Sequence, residues 1–127
     1  MTMRNQGLLK TFNTGAAVAR SRIVAFGADE RTVIQAAAVS SVMFGVSDEV
    51  PAPATGDVAD VVMTGVATVE YGGNVAVGAL LTSDSVGRAV AAAPGAGVNN
   101  RIIGVAMVAG VLGDLGAVLL SPGQIQG

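Results

Sequence analysis

Met43-Phe44-Gly45-Val46, then Gly56-Asp57, then Val61-Val62-Met63: this series decides how the chain is read, because it occurs twice. Ile102-Ile103-Gly104-Val105 answers the first piece at an offset of 59 residues, and Gly113-Asp114 with Val118-Leu119-Leu120 answers the rest at an offset of 57. Each copy reads as an apolar strand, a loop of small residues, a Gly-Asp turn and a second apolar strand. The two-residue difference in offset fits a loop of different length. Two copies of one hairpin unit are expected, neither able to bury its apolar face alone.

Working outward, strand patterning continues on both sides. Residues 58–64 and 66–71 flank Gly65; in the second run Ala67, Val69 and Tyr71 share one face, and Thr68 and Glu70 the other. Short strands are expected over 16–20 and 22–26, split near Ser21, and over 32–35 and 39–46. Leu80-Leu81-Thr82 and residues 86–91 flank a hairpin turn at Ser83-Asp84-Ser85. Pro51 and Pro53 place 51–56 in a loop, and 92–100 reads as a long flexible loop. Strands over 101–108 and 115–120 close the chain. In the first of these, Ile103, Val105 and Met107 point one way while Ile102, Gly104 and Ala106 point the other. Apolar residues on both faces mean a central position in a sandwich or barrel, or a subunit interface. Ile102, Ile103, Gly104, Val105 and Met107 are therefore the candidate interface or core residues. The fold class is all-β, a compact barrel or sandwich of short strands. Residues 1–14 are polar and aperiodic and read as an extended N-terminal arm, leaving 15–127 as a single β-domain.

Composition narrows the function. Of 127 residues, 51% are hydrophobic and only 13% charged, about half the usual charged share. Ala (22), Val (21) and Gly (18) dominate, and the aromatics are Phe12, Phe26, Phe44 and Tyr71. A core of such small side chains buries little area per residue. So few charges leave apolar surface on an isolated subunit, the mark of a contact surface. A homo-oligomer, or a subunit docked on something large, is expected. The net charge of −2 gives no general attraction to nucleic acid or to an anionic membrane. Five of the seven basic residues fall in the first 31 positions, and no acid precedes Asp29. Arg4, Lys10 and Phe12 in the arm are the candidate partner contacts. No signal peptide is visible, and the uncharged run 32–47 is too short and too polar for a membrane span.

Catalytic chemistry finds no footing in these residues. The chain has no His and no Cys, which removes thiol nucleophiles, disulfides and the usual zinc ligands. Its one lysine, Lys10, precedes Thr11 as in a phosphate loop, but Leu9 and Arg4 stand where that loop needs glycines. Gly95-Ala96-Gly97 lacks the third glycine of a dinucleotide loop and has no helix signature after it. The carboxylate neighbours Asp29/Glu30, Asp48/Glu49 and Asp57/Asp60 sit at turn signals and read as solvated turn residues. No enzyme activity, cofactor, metal or small-molecule substrate is expected.

The ordered series Gly15-Ala16-Ala17-Val18, Val24-Ala25-Phe26-Gly27, Phe44-Gly45-Val46, Gly56-Asp57 and Val61-Val62-Met63-Thr64-Gly65 resembles the capsid cement, or head decoration, proteins of tailed phages. The likeness continues through Val77-Gly78-Ala79-Leu80-Leu81, Gly87-Arg88-Ala89-Val90, Ile102-Ile103-Gly104-Val105-Ala106 and Gly113-Asp114 with Val118-Leu119-Leu120, covering about 14–121. It implies a compact, β-tulip-like domain, made in the host cytoplasm and assembled, often as a homotrimer, on the outer surface of the virion. There it would bind the major capsid protein of the expanded head and hold neighbouring subunits against DNA pressure. The family's usual aromatic beside the strand at Leu80-Leu81-Thr82 is absent here. The other reading is a phage tail or surface β-barrel that recognises sugar or protein. Such sites use Trp or Tyr platforms, and this chain offers only Tyr71.

Overall fold

A computed structural model describes residues 5–48, 51–52 and 54–127 of the chain. Among these, the regular structure is entirely β. The strands are β1 (Asn5–Gln6), β2 (Leu9–Thr14), β3 (Ile23–Phe26), β4 (Thr32–Gln35), β5 (Met43–Ser47), β6 (Val58–Val62), β7 (Gly65–Glu70), β8 (Leu80–Ser83), β9 (Ala89–Ala91), β10 (Asn99–Ala106) and β11 (Leu115–Gln126). Strands β2-β4-β3-β5-β6 close into a small barrel, and β1-β7-β11-β10-β8-β9 form a six-stranded sheet. A parallel bridge from Tyr71 to Ala89 draws β9 back towards the end of β7, so this sheet is curled.

The two halves are one unit used twice, and the unit is larger than a hairpin. β2 lies antiparallel to β6 with Leu9 opposite Val62 and Asn13 opposite Val58; β7 lies on β11 with Val66 opposite Leu119 and Glu70 opposite Leu115. Ile23 faces Val46 across β3 and β5, as Leu80 faces Val105 across β8 and β10. Val46 then faces Val62, as Val105 faces Leu119. β4 runs parallel to β2, and the Tyr71–Ala89 bridge is the parallel counterpart. Thus β2 to β6 correspond in order to β7 to β11.

The residues that the sequence repeats are those the backbone requires. A Cβ on Gly45 would stand 2.7 Å from the carbonyl oxygen of Val62, and one on Gly104 would strike the carbonyl of Leu119. Both glycines let the second strand of the unit cross closely. Gly56 and Gly113 adopt φ of 88° and 87°, where L side chains are strained. In each turn the aspartate folds back in the same way. Ala54 N–H donates to Asp57 Oδ2 at 3.0 Å, and Val111 N–H to Asp114 Oδ2 at 2.9 Å.

Two apolar clusters fill the molecule. Phe12, Val18, Val24, Val33, Ala59 and Val61 fill the barrel. The second cluster joins the inner face of the curled sheet (Val69, Tyr71, Leu81, Ile103, Val118) to the outer wall of the barrel (Ile23, Ala25, Met43, Val46, Val62). The barrel wall is thus the plug of the sheet. Fully burying Ile23, Val46 and Val62 there contributes about 1.5–3 kcal/mol apiece.

Several expected elements differ. Residues 9–14, read as part of an extended arm, form a barrel strand because Phe12 and Thr14 point inward and are buried. The run 16–20 forms no strand; only Val18 bridges to Ala52. The strand expected over 39–46 begins at Met43, and Ser41 caps the preceding loop by accepting from Ala37 and Ala38 N–H. The loop expected over 92–100 ends two residues early, at β10. β11 runs on past Leu120 through Pro122, which sits where the β10–β11 register slips between Ile102 and Gly104 and no ladder donor is lost.

Candidate interaction surfaces

The residues singled out in the sequence fall in different environments. Arg4 lies outside the described residues. Lys10 is exposed on β2, with Nζ 5.4 Å from the centroid of the Phe12 ring. Phe12, expected in the arm as a partner contact, is only 4% exposed and sits in the barrel core. It belongs to an aromatic trio in which Phe26 and Phe44 stack at 4.1 Å and Phe12 meets both edge-on. Ile103 and Gly104 are buried, Ile102 and Val105 are half-buried, and Met107 is exposed.

The duplication makes a comparison possible that the sequence alone does not. In the barrel, the cross-strand row Ile23–Val46–Val62 is 0–1% exposed, covered by the curled sheet. The same row in the sheet is Leu80–Val105–Leu119, continued by Val66 on β7. Among the described residues nothing covers Leu80, Val105 and Leu119 to that extent. Leu119 is 45% exposed and the other three are half-buried. The neighbours Ala67, Ala106 and Val118 point into the core, so strand alternation puts the row on the outer face. The end of the sheet is apolar as well. Val77, Val111 and Leu112 are exposed there, where the corresponding barrel positions carry Arg20, Ala54 and Thr55.

Polar contacts lie mostly at turns and at the joint between the halves. Arg22 reaches across the joint, donating from Nη1 to the Val86 carbonyl at 2.8 Å and approaching Glu70 Oε2 at 3.4 Å. Ile23 N–H donates to the Gly87 carbonyl beside it, and Ser83 Oγ to the Ala36 carbonyl. Asp84 holds its turn together, accepting from the N–H of Val86 and of Arg88 and from Arg88 Nε, all at 2.9 Å. Asp29 is similarly a turn carboxylate, held below its ordinary range first by the N–H of Arg31 and then by the Thr32 hydroxyl. Tyr71 is fully buried and donates to the Val108 carbonyl at 2.7 Å. Burial pushes its phenol above the usual value near 10, opposed by a backbone hydrogen bond at Ala117. An open groove of about 290 Å³ runs along Lys10, Thr11, Phe12, Asn13, Glu30 and Arg31. Among the described residues no three acidic side chains gather as a metal site, and no helix is long and apolar enough to cross a membrane.

This arrangement offers covered and uncovered apolar surface. The sequence of the phage cement protein family matches it over residues 3–120. The chain belongs to that family. It is a capsid-associated structural protein of the virion. No curated protein matches the chain. Among solved structures, the cement protein is similar to the N base of head fiber gp8.5 of bacteriophage phi29. The two are 20% identical, with a TM-score of 0.66 over 94% of this chain and 98% of the other. At that identity the likeness speaks to the fold. It extends over both halves of the cement protein, not the barrel alone.

Proposed function

We propose that this cement protein is a non-enzymatic homotrimeric clamp, bound to the outer surface of the expanded head across boundaries between major capsid proteins. Family membership supports the capsid as partner. The observation that carries self-association is the outer row Leu80–Val105–Leu119, apolar and open in a chain whose other copy of that row is fully covered. Each subunit supplies one weak capsid contact. Rigid linkage of three converts them into one tight attachment, gaining about 10²–10⁴-fold through effective concentration. Lys10, exposed on β2 beside the groove, is the described basic residue assigned to the capsid contact, and Arg4 is assigned with it from the sequence. The adhesion reading loses its platform, because Tyr71 is buried at the heart of the sheet.

The experiment is add-back. Purified chain is mixed with undecorated heads, expanded and unexpanded, and sedimented. Saturable binding to expanded heads, in multiples of three copies, is expected. Absence of binding to expanded heads contradicts the proposal.

A further inference from the structure

The barrel closes on a short seam. β4 pairs with β2 at Asn13 and Thr14 alone, in parallel, and the earlier part of β2 from Leu9 runs without it. Strand geometry decides which groups this leaves open. Thr14 N–H donates to the Asp57 carbonyl and Met63 N–H to that of Leu8, so the even residues of β2 bond to β6. The N–H and C=O of Leu9 and Thr11 point the other way. A ladder continued from Asn13 would join Thr11 to Asp29 and Arg31. That turn is closed on itself instead: Arg31 N–H donates to Asp29 Oδ1 at 2.9 Å and Thr32 N–H to the Asp29 carbonyl at 3.3 Å. Among the described residues nothing pairs with the outward backbone groups of Leu9 and Thr11. The groove of about 290 Å³ along Lys10, Thr11, Asn13, Glu30 and Arg31 is the gap beside them. In the other copy of the unit the same edge is covered by extended chain. Asn5 and Gln6 lie on Val66 and Gly65, and the Ser21 carbonyl accepts from Glu70 N–H at 2.9 Å.

We propose that the open β2 edge takes an added strand: an extended segment of the major capsid protein lies along Leu9–Thr11, pairs its backbone with both residues and sets an acidic side chain opposite Lys10. Strand addition draws affinity from main-chain hydrogen bonds and selectivity from alternate side chains. Lys10 lies between the two bonded residues, so one side chain of the segment must face it. Lys10 and Arg31 form no ion pair among the described residues; Lys10 Nζ rests only near the Phe12 ring. Glu30, beside Arg31, repels an acid at that end, which leaves Lys10 as its partner. A second copy of this chain does not fit the edge. Pairing two β2 edges through Leu9 and Thr11 about a two-fold axis sets Lys10 against Lys10, and like charges directly opposite are destabilising. This inference rests on the capsid reading above and adds to it the strand that makes the contact and the kind of segment it takes.

Proline at position 11 tests the edge in the full-length chain. Thr11→Pro removes the outward N–H and keeps the bonds of β2 to β6, which the even residues make, so the barrel stays closed. The comparison is Thr11→Val, which loses the same 2.6 Å hydroxyl contact to Asp60 Oδ1 and keeps the N–H. Both are expected at the wild-type solution mass, with Thr11→Pro retained on expanded heads about tenfold or more weakly than Thr11→Val. Hydrogen exchange on the wild type gives a second readout that decides alone if Thr11→Pro does not fold. The Leu9 and Thr11 amides exchange freely in the unattached protein and become protected on expanded heads. Equal retention of the two variants overturns the inference, and so does bound wild type whose Leu9 and Thr11 amides exchange as fast as before; attachment to the capsid stands in both cases. Wild type that does not bind expanded heads is a separate result and removes the capsid reading itself.

Discussion

Tyr71 and its two glycine neighbours give the sharpest test of the duplicated architecture. Thr14 occupies the corresponding place in the barrel, with Ala52 and Ala59 around it; in the sheet the tyrosine faces Gly110 and Gly116. A Cβ on Gly110 would stand 2.7 Å from the ring, and one on Gly116 would overlap it. The ring cannot swing aside, since its hydroxyl is tied to Val108 and β11 is held by β7 and β10 on either side. Gly116→Ala alone is therefore an overpacking substitution without relief, costing about 3 kcal/mol, the upper end of the usual range. Tyr71→Thr alone, copying the barrel, leaves a ring-sized void and an unpaired carbonyl, costing about 3–5 kcal/mol. Combined, the new methyl enters the space the ring vacated, and the double variant is more stable than the sum of the singles by about 2 kcal/mol. Urea unfolding followed by circular dichroism, at one protein concentration, measures all four corners of the cycle. Additivity within about 0.5 kcal/mol would refute the claim that the ring occupies the space of two missing methyl groups.

Other consequences follow from particular residues. Gly56→Ala and Gly113→Ala each cost about 1 kcal/mol although a Cβ at either site meets nothing within 4 Å, since the penalty comes from φ near +88°; urea midpoints will show the two losses to be alike. Tyr71 bears on alkaline stability. The unfolded phenol releases its proton near pH 10 while the buried one keeps it, so the folded state binds more protons above that pH and stability, intact below about 10, is lost as pH climbs through the raised folded value. Tyr71→Phe removes this part of the pH dependence in an unfolding titration. Lys10→Glu leaves the melting temperature unchanged and weakens retention on heads by about tenfold or more, since the loss is repeated in every subunit; unchanged retention removes Lys10 from the capsid contact.

The glycine-bearing strand pairs and Gly-Asp turns were legible in the sequence because backbone geometry forces them: Gly45 and Gly104 face a carbonyl, and Gly56 and Gly113 need positive φ. The rest of the duplication was not, because its side chains answer to different surroundings. The barrel fills its own mouth with Phe12, Phe26 and Phe44, whereas the sheet, filled by the barrel wall, carries Val69, Ser83 and Ile103 at those places. Residues 9–14 looked like an arm because only Phe12 and Thr14 point inward and the alternate residues meet solvent. The alternation expected over 102–107 breaks at the register slip after Ile102, so that Ile103 and Ala106 both reach the core while Val105 stays half-buried and Met107 exposed. Core and interface, which the sequence leaves as alternatives for this strand, separate only beside the equivalent row on the barrel, which is buried.

The clamp itself is tested most directly by challenging DNA-filled heads, with and without bound cement protein, by stepwise heating or osmotic shock, and recording the step at which DNA is released. Heads carrying the wild type should hold their DNA to a harsher step than undecorated heads, and heads offered Leu119→Lys should behave as undecorated ones. Release at the same step with and without the bound protein would contradict a load-carrying role.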